Sequence, residues 1–354
     1  MAKDRYVAYI GTYTKGSSEG IYILGLDAET SRFSERKVIP ADNPSDVLVA
    51  NNGHYLYSTS AQGVNAYRIL PDGDLEFLNT QWTGGMRGCY LETDPQDKFL
   101  FVAGYYDGRL TVMHLNEDGS IGEIADGIYH EGMGVDETGH DFMPHITCVK
   151  LTPDLKGIFA VDNGLDQIKT YEFDEQTGKL KPIGVLRCEL DSAPRLIRVD
   201  WKKNFIYVLC EQTNHVCVYQ PPEVMNTDSR QVLEPIQKIS TIAKGSTRKP
   251  STFGMDFSHD GKHLFVSNTV TNTVVVYDVD EETGMLTVNC SASLSGEYPK
   301  SVAGLPDSDH FVVLGLNTGT VTVYKVNYDK QYFLMSAKPI LIDQPNSIFI
   351  HKLS

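Results

Sequence analysis

Two charged residues in this chain are spaced for joint chemistry. Arg195, in "APRL", and Glu211, in "VLCEQ", flank a segment whose midpoint falls in "KKN". If "KKN" is a hairpin turn, the two side chains face each other across antiparallel strands, within reach. Glu211 can then orient the guanidinium, whose planar fork meets a ligand carboxylate or phosphate. The plainer alternative is a cross-strand salt bridge that only holds the hairpin. His145 is a third candidate. It stands after a proline in "MPHITCVKL", at the mouth of an otherwise apolar strand. Its imidazole can move a proton near neutral pH, although a lone histidine at a strand end is more often a hydrogen-bonded bystander. The same hairpin arithmetic sets Thr147 opposite Asn163 and Phe253 opposite Thr269.

These residues need elements to carry them, and the chain supplies a repeat. One short segment type, rich in β-branched and aromatic residues, recurs as "YVAYIGTY", "HYLYSTSA", "KFLFVAGYY", "GIFAVDNG", "NFIYVLCEQ", "HLFVSNTV" and "HFVVLGLN". A second type follows each of these, as in "GIYILGLD" and "TVVVYDVD". A third precedes them, as in "PHITCVKL" and "PRLIRVD", and a weaker fourth fills each gap. Hairpin turns such as "DEQTGKL" and "DEETGML" punctuate the series. The spacing of roughly 44 to 59 residues is that of propeller blades. Long helical periodicity is absent. The expectation is an all-β, seven-bladed β-propeller of four-stranded antiparallel blades, a single domain over 1–354. The chain starts on the second strand of a blade. The terminal "PNSIFIHKL" is the missing first strand and closes the ring, leaving no open sheet edge.

A propeller turns the spacing argument into a shortlist. The first strand of each blade lines the central channel, and its start meets the end of the second strand on one rim. A channel mouth can enclose a small ligand. At the first-strand starts lie Arg87, Tyr90, His145, Thr147, Arg195 and Lys300. At the second-strand ends lie Tyr105, Asn163, Glu211, Gln212, Asn268 and Thr269.

Composition narrows the partners. The net charge of −15 repels a nucleic-acid backbone. No apolar run is long enough for a membrane span, and "MAKDRYVAYIGTYT" lacks the pattern of a secretion signal, so the expected compartment is the cytoplasm. The six cysteines form no C-x-x-C pair and sit largely in apolar runs, which predicts reduced, buried thiols rather than a zinc site. "NEDGS" and "PDGD" read as hairpin turns, since the spaced ligand set of a calcium loop is missing. No phosphate-binding loop precedes a helix, so no cofactor and no metal is expected. "PPEVMNTDSR", residues 221–230, reads as an insertion on an outer loop. The sequence does not specify an oligomeric state.

Across nearly its whole length the chain resembles the seven-bladed propeller lactonases, which include bacterial 6-phosphogluconolactonases and fungal carboxymuconate lactonizing enzymes. The resemblance is carried by "YIGTYT", "DNPSDVLVANNGHYLY", "GGMRGCYLETDPQDKFLFVAGYYDGRLTVMHLNEDGSI", "HEGMGV", "PHITCVKLTPD", "APRLIRVDW" and "FSHDGKHLFVSN". It implies a rim site of one histidine, two arginines and a glutamate. Arg195 and Glu211 match the first arginine and the glutamate. Thr147 stands at the histidine position, since the family's P-H-x-H is here P-H-I-T, and His145 matches the earlier histidine. Thr269 replaces the second arginine, Tyr90 a usual histidine in "GCYL", and Leu196 the residue after Arg195.

Lactone hydrolysis needs a base for water and positive groups for the oxyanion. Threonine is no base near neutral pH, and a close arginine weakens Glu211 in that role. His145 can take over if its ring reaches inward. The expected activity is therefore hydrolysis of a sugar-derived lactone, phosphorylated or not, with Arg195, Glu211 and His145 as catalytic residues. Thr147, Thr269, Tyr90, Arg87, Tyr105, Asn163 and Lys300 are expected to line the ligand. The alternatives are a diverged binding or scaffold propeller and a carboxymuconate-type cyclase.

Overall fold

Strands alternate with tight turns along the chain, and the strands fall into seven sheets, each following four strands in antiparallel order. This is a seven-bladed β-propeller. The computed structural model describes residues 5–132, 143–220, 234–243 and 252–353. The insertion at 221–230 lies outside the described residues. No helix of the described residues is long and apolar enough to cross a membrane.

Burial grades across each blade as the residue types dictate. The second strands are largely apolar runs buried over most of their length, and wholly buried in Gly157–Asp162, Phe205–Cys210 and His310–Gly315. The fourth strands, such as Leu180–Arg187, are largely solvent-facing, which is why their sequence signal is weak. Contacts gather the chain into two compact units: Met1–Val49, Ile69–Glu76 and Ile239–Ser354 form one, and Ala50–Arg68 and Phe77–Lys238 form the other. In the first, Ala8, Ile10, Leu24, Leu314 and Val323 belong to one core cluster, and Phe265, Val276 and Phe311 to another. In the second, Phe101, Val112, Val149 and Ile158 make one core, and Val161, Ile197, Val208 and Tyr219 the next. Each fully buried Val, Leu, Ile or Phe among them contributes about 1.5–3 kcal/mol.

The terminal strand does close the first blade. Pro345–Leu353 pairs antiparallel with Arg5–Thr12, from Arg5↔Leu353 to Gly11↔Ser347. Ile348 and Ile350 pack against the core of that unit. Removing 345–354 should strip these contacts and leave Arg5–Thr12 as an open edge. The expected result is a loss of about 3 kcal/mol or more, with aggregation, seen by size exclusion and thermal melting. A truncated chain that stays monodisperse with an unchanged Tm would contradict this closure.

One backbone feature recurs and bears on the site. The first strand of several blades carries a β-bulge near its start. Ile146 pairs with Asp162 but Cys148 with Val161, so Thr147 is the extra residue. Pro194 pairs with Cys210 but Leu196 with Leu209, so Arg195 is extra. Phe253 and Lys300 occupy the same place in their sheets. The hairpin arithmetic is corrected by this one residue. Opposite Asn163 is His145, whose carbonyl accepts the Asn163 N–H at 2.9 Å, not Thr147. Opposite Glu211 is Ala193, whose carbonyl accepts its N–H at 2.8 Å, not Arg195. Phe253 is likewise displaced from its expected register with Thr269. A bulge re-aims the side chain it carries, and these bulges carry candidate residues.

Candidate active site

The site residues gather in the unit formed by Ala50–Arg68 and Phe77–Lys238. Its charged centre is the predicted pair. Arg195 Nη1 donates to Glu211 Oε2 at 2.8 Å, and both side chains are mostly buried, at 19% and 16% exposure. The Asn163 amide Nδ2 lies 3.5 Å from the same oxygen and donates to the Ala193 carbonyl at 3.3 Å. Thr147 is tied to this centre through the backbone, its hydroxyl donating to the Arg195 carbonyl at 2.8 Å. That bond needs a small hydroxyl at the bulge.

His145 stands next to it. Asn163 links the two, holding the His145 carbonyl with its N–H while its side chain reaches Glu211. Nδ1 of His145 lies 2.6 Å from the Tyr105 carbonyl oxygen, and the two rings stack at 4.4 Å with 10° between planes. A carbonyl oxygen only accepts, so Nδ1 carries the hydrogen. In the neutral ring the lone pair is therefore on Nε2, the atom a general base uses. Gly164 makes room for this arrangement. A Cβ there would fall 1.9 Å from the Met143 carbonyl oxygen and 3.1 Å from His145 Cδ2.

A buried pair supports His145 from behind. Asp162 Oδ1 accepts the N–H groups of His145 (3.0 Å) and Leu165 (3.1 Å), and its Oδ2 lies 2.6 Å from His130 Nδ1. Both side chains of that pair are fully buried. Burial holds the His130 pKa below the ordinary value, against the opposing pull of Asp162. His130 is thus a neutral donor to a carboxylate. Nothing in the sequence marked this pair, since its members are 32 residues apart.

Tyr105 borders both halves. Its half-buried phenol is pushed above the ordinary tyrosine range, first by burial and then by the Glu211 charge, with Arg195 opposing. It stays protonated at neutral pH and is a hydrogen-bond donor. Arg87 lies one ring further out, with Nη2 3.0 Å from the Tyr106 hydroxyl, and Tyr106 meets Tyr105 edge-on at 5.5 Å.

The remaining candidates have other partners. Tyr90 packs against the two hydrophobic cores of its unit, and its hydroxyl lies 3.4 Å from Arg198 Nη1. The residue before it reaches the site instead. The Cys89 thiol donates to the Ile146 carbonyl at 3.2 Å, beside the Thr147 bulge. Thr269 and Lys300 belong to the other unit. Thr269 is buried, and the Lys300 ammonium lies 4.3 Å from the Phe253 ring centre and 5.7 Å from that of Tyr13. Asn268 is buried among the hydroxyls of Thr241, Thr252 and Thr273, a structural setting. No group of three or more His, Cys, Asp or Glu side chains gathers as metal ligands among the described residues.

Residues 7–349 match the family model described as a lactonase, 7-bladed β-propeller. The chain belongs to this lactonase family. It is 29% identical to a Bacillus subtilis (strain 168) protein named 6-phosphogluconolactonase, across 99% of both chains. An uncharacterized protein of Staphylococcus saprophyticus is 27% identical over 90% of this chain and 91% of its own length. Among solved structures, the periplasmic gluconolactonase of Pseudomonas aeruginosa superposes with a TM-score of 0.90 at 23% identity, covering 99% of this chain and 100% of that one. That likeness is one of fold.

Proposed function

We propose that the protein hydrolyses a sugar-derived lactone at the rim formed by Arg195, Glu211, His145 and Tyr105. The observation that carries this reading is the mostly buried Arg195–Glu211 pair beside an imidazole whose Nε2 holds the lone pair. His145 Nε2 takes a proton from water as the oxygen attacks the lactone carbonyl carbon. The carbonyl electron pair moves to its oxygen, and Arg195 stabilises that oxyanion. Collapse reforms the carbonyl and breaks the ring C–O bond. The proton on Nε2 goes to the leaving alkoxide, giving the open hydroxy acid. Glu211 keeps the guanidinium aimed through its 2.8 Å bond to Nη1. Lactone and water are the only reactants, so this reading needs no cofactor.

The name of the Bacillus subtilis relative points to 6-phosphogluconolactone. Free cysteine thiols suit the reducing cytoplasm. A second reading, a propeller that binds such a ligand without turning it over, is favoured by Thr147 and Thr269, which stand where the family resemblance implies histidine and arginine. One assay separates the two. Hydrolysis of 6-phosphogluconolactone and of δ-gluconolactone is followed with the spontaneous rate subtracted. Saturable turnover of either, with the phosphorylated lactone preferred, is the expected result. Binding of 6-phosphogluconate with no turnover above background would select the binding module.

A further inference from the structure

We propose that Tyr105 is the positioning residue that makes His145 the base of this site. The proposal rests on the hydrolase reading for its consequence, but not for its geometry. Tyr105 acts on the imidazole twice. Its carbonyl oxygen takes the Nδ1 hydrogen at 2.6 Å, and its ring lies flat on the imidazole at 4.4 Å and 10°. Either contact alone leaves the ring a freedom. A carbonyl fixes one nitrogen but allows tilt about the hydrogen bond. A stacked ring fixes the plane but permits a half-turn about Cβ–Cγ, which puts Cδ2 in the place of Nδ1 and Cε1 in the place of Nε2. Together they leave one orientation, with Nε2 carrying the lone pair.

The backbone around Tyr105 is built to hold that carbonyl. The turn after the strand Phe99–Ala103 is closed by the Gly104 N–H on the Arg109 carbonyl at 2.8 Å. Asp107 braces the same turn, accepting the N–H of Met86 at 2.7 Å and of Arg109 at 3.3 Å. A side chain at Gly104 would lie 2.6 Å from Asp107 Oδ1 and 2.8 Å from the Arg109 carbonyl oxygen. On the other side, Asp162 fixes the His145 N–H at 3.0 Å. The imidazole is therefore clamped at its backbone, one nitrogen and one face. The phenol hydroxyl, electrostatically coupled to Glu211 and Arg195, is a separate group that can meet the substrate.

The test is ¹⁵N NMR of the His145 ring, together with kinetics. The wild-type protein, with its imidazole neutral, should show Nδ1 protonated and Nε2 unprotonated. Tyr105→Phe keeps the flat ring and should keep that signature, with its kinetic loss falling on KM. Tyr105→Ala removes the stack but keeps the carbonyl, so the Nδ1 hydrogen should stay while the ring is free to tilt, with kcat lower by about tenfold to a hundredfold. A wild-type ring protonated at Nε2 overturns the proposal without any variant having to fold. A Tyr105→Ala protein with wild-type kcat overturns it too. If the wild type turns over no lactone, the hydrolase reading fails, and the NMR result still decides what Tyr105 does to His145.

Discussion

Replacing His145 with asparagine should lower kcat for lactone hydrolysis by about 10²- to 10⁴-fold, the usual range for losing a general base. Asparagine is the informative choice. Its amide can still donate to the Tyr105 carbonyl from near the Nδ1 position, and the His145 N–H can still reach Asp162. The strand start is preserved while the lone pair at Nε2 is lost. The effect should fall on kcat, because the base acts in the transition state and adds little to substrate binding. An asparagine variant at wild-type kcat would show that water is activated elsewhere. Glu211→Gln would then be the decisive variant, since Glu211 is the carboxylate paired with Arg195.

The blade repeat was plain in the sequence because the second strands are buried on both faces. Their apolar runs, such as "FIYVLC" and "HFVVLG", cannot be mistaken for polar loops. The pairing of Arg195 with Glu211 was also legible, but for an approximate reason. Simple hairpin counting sets them opposite, whereas the bulge makes Ala193 the true backbone partner. A long arginine spans the one-residue error. A short side chain cannot, so the same count misplaced Thr147 against Asn163. Bulges leave no mark in a single sequence unless glycine announces them, and here the extra residues are Thr, Arg, Phe and Lys. The proline at these strand starts misleads further. Arg195 and Lys300 directly follow a proline, as His145 does, but the bulged residue of the His145 strand is Thr147. The stacking of Tyr105 on His145 joins residues from different blades, and the His130–Asp162 pair joins a blade edge to a buried strand. Such contacts depend on how neighbouring sheets pack, which periodicity does not encode.

Arg195 and Glu211 should behave as one unit. Arg195→Ala is expected to cost about 10²- to 10³-fold in kcat/KM, the range for removing one oxyanion donor. It also strands the Glu211 carboxylate, which is only 16% exposed. Stability should then fall by about 1–2 kcal/mol, less than for a fully buried pair because water still reaches both groups. Arg195→Lys keeps a positive charge but not the fork, so it should recover part of the rate and little of the orientation. Glu211→Gln leaves the guanidinium without its charged partner, and a loss of about tenfold is expected from misdirection alone. The double variant Arg195→Ala, Glu211→Gln is the strict test. If Glu211 acts only through Arg195, removing it from a chain that already lacks Arg195 should cost no further rate. It should even restore stability, because a neutral amide replaces a stranded carboxylate. If the two losses multiply instead, Glu211 has its own part in the chemistry, and the plausible one is the base. The cycle and the His145→Asn variant therefore interrogate the same proton from two sides. Only one of the two residues can be found to carry it.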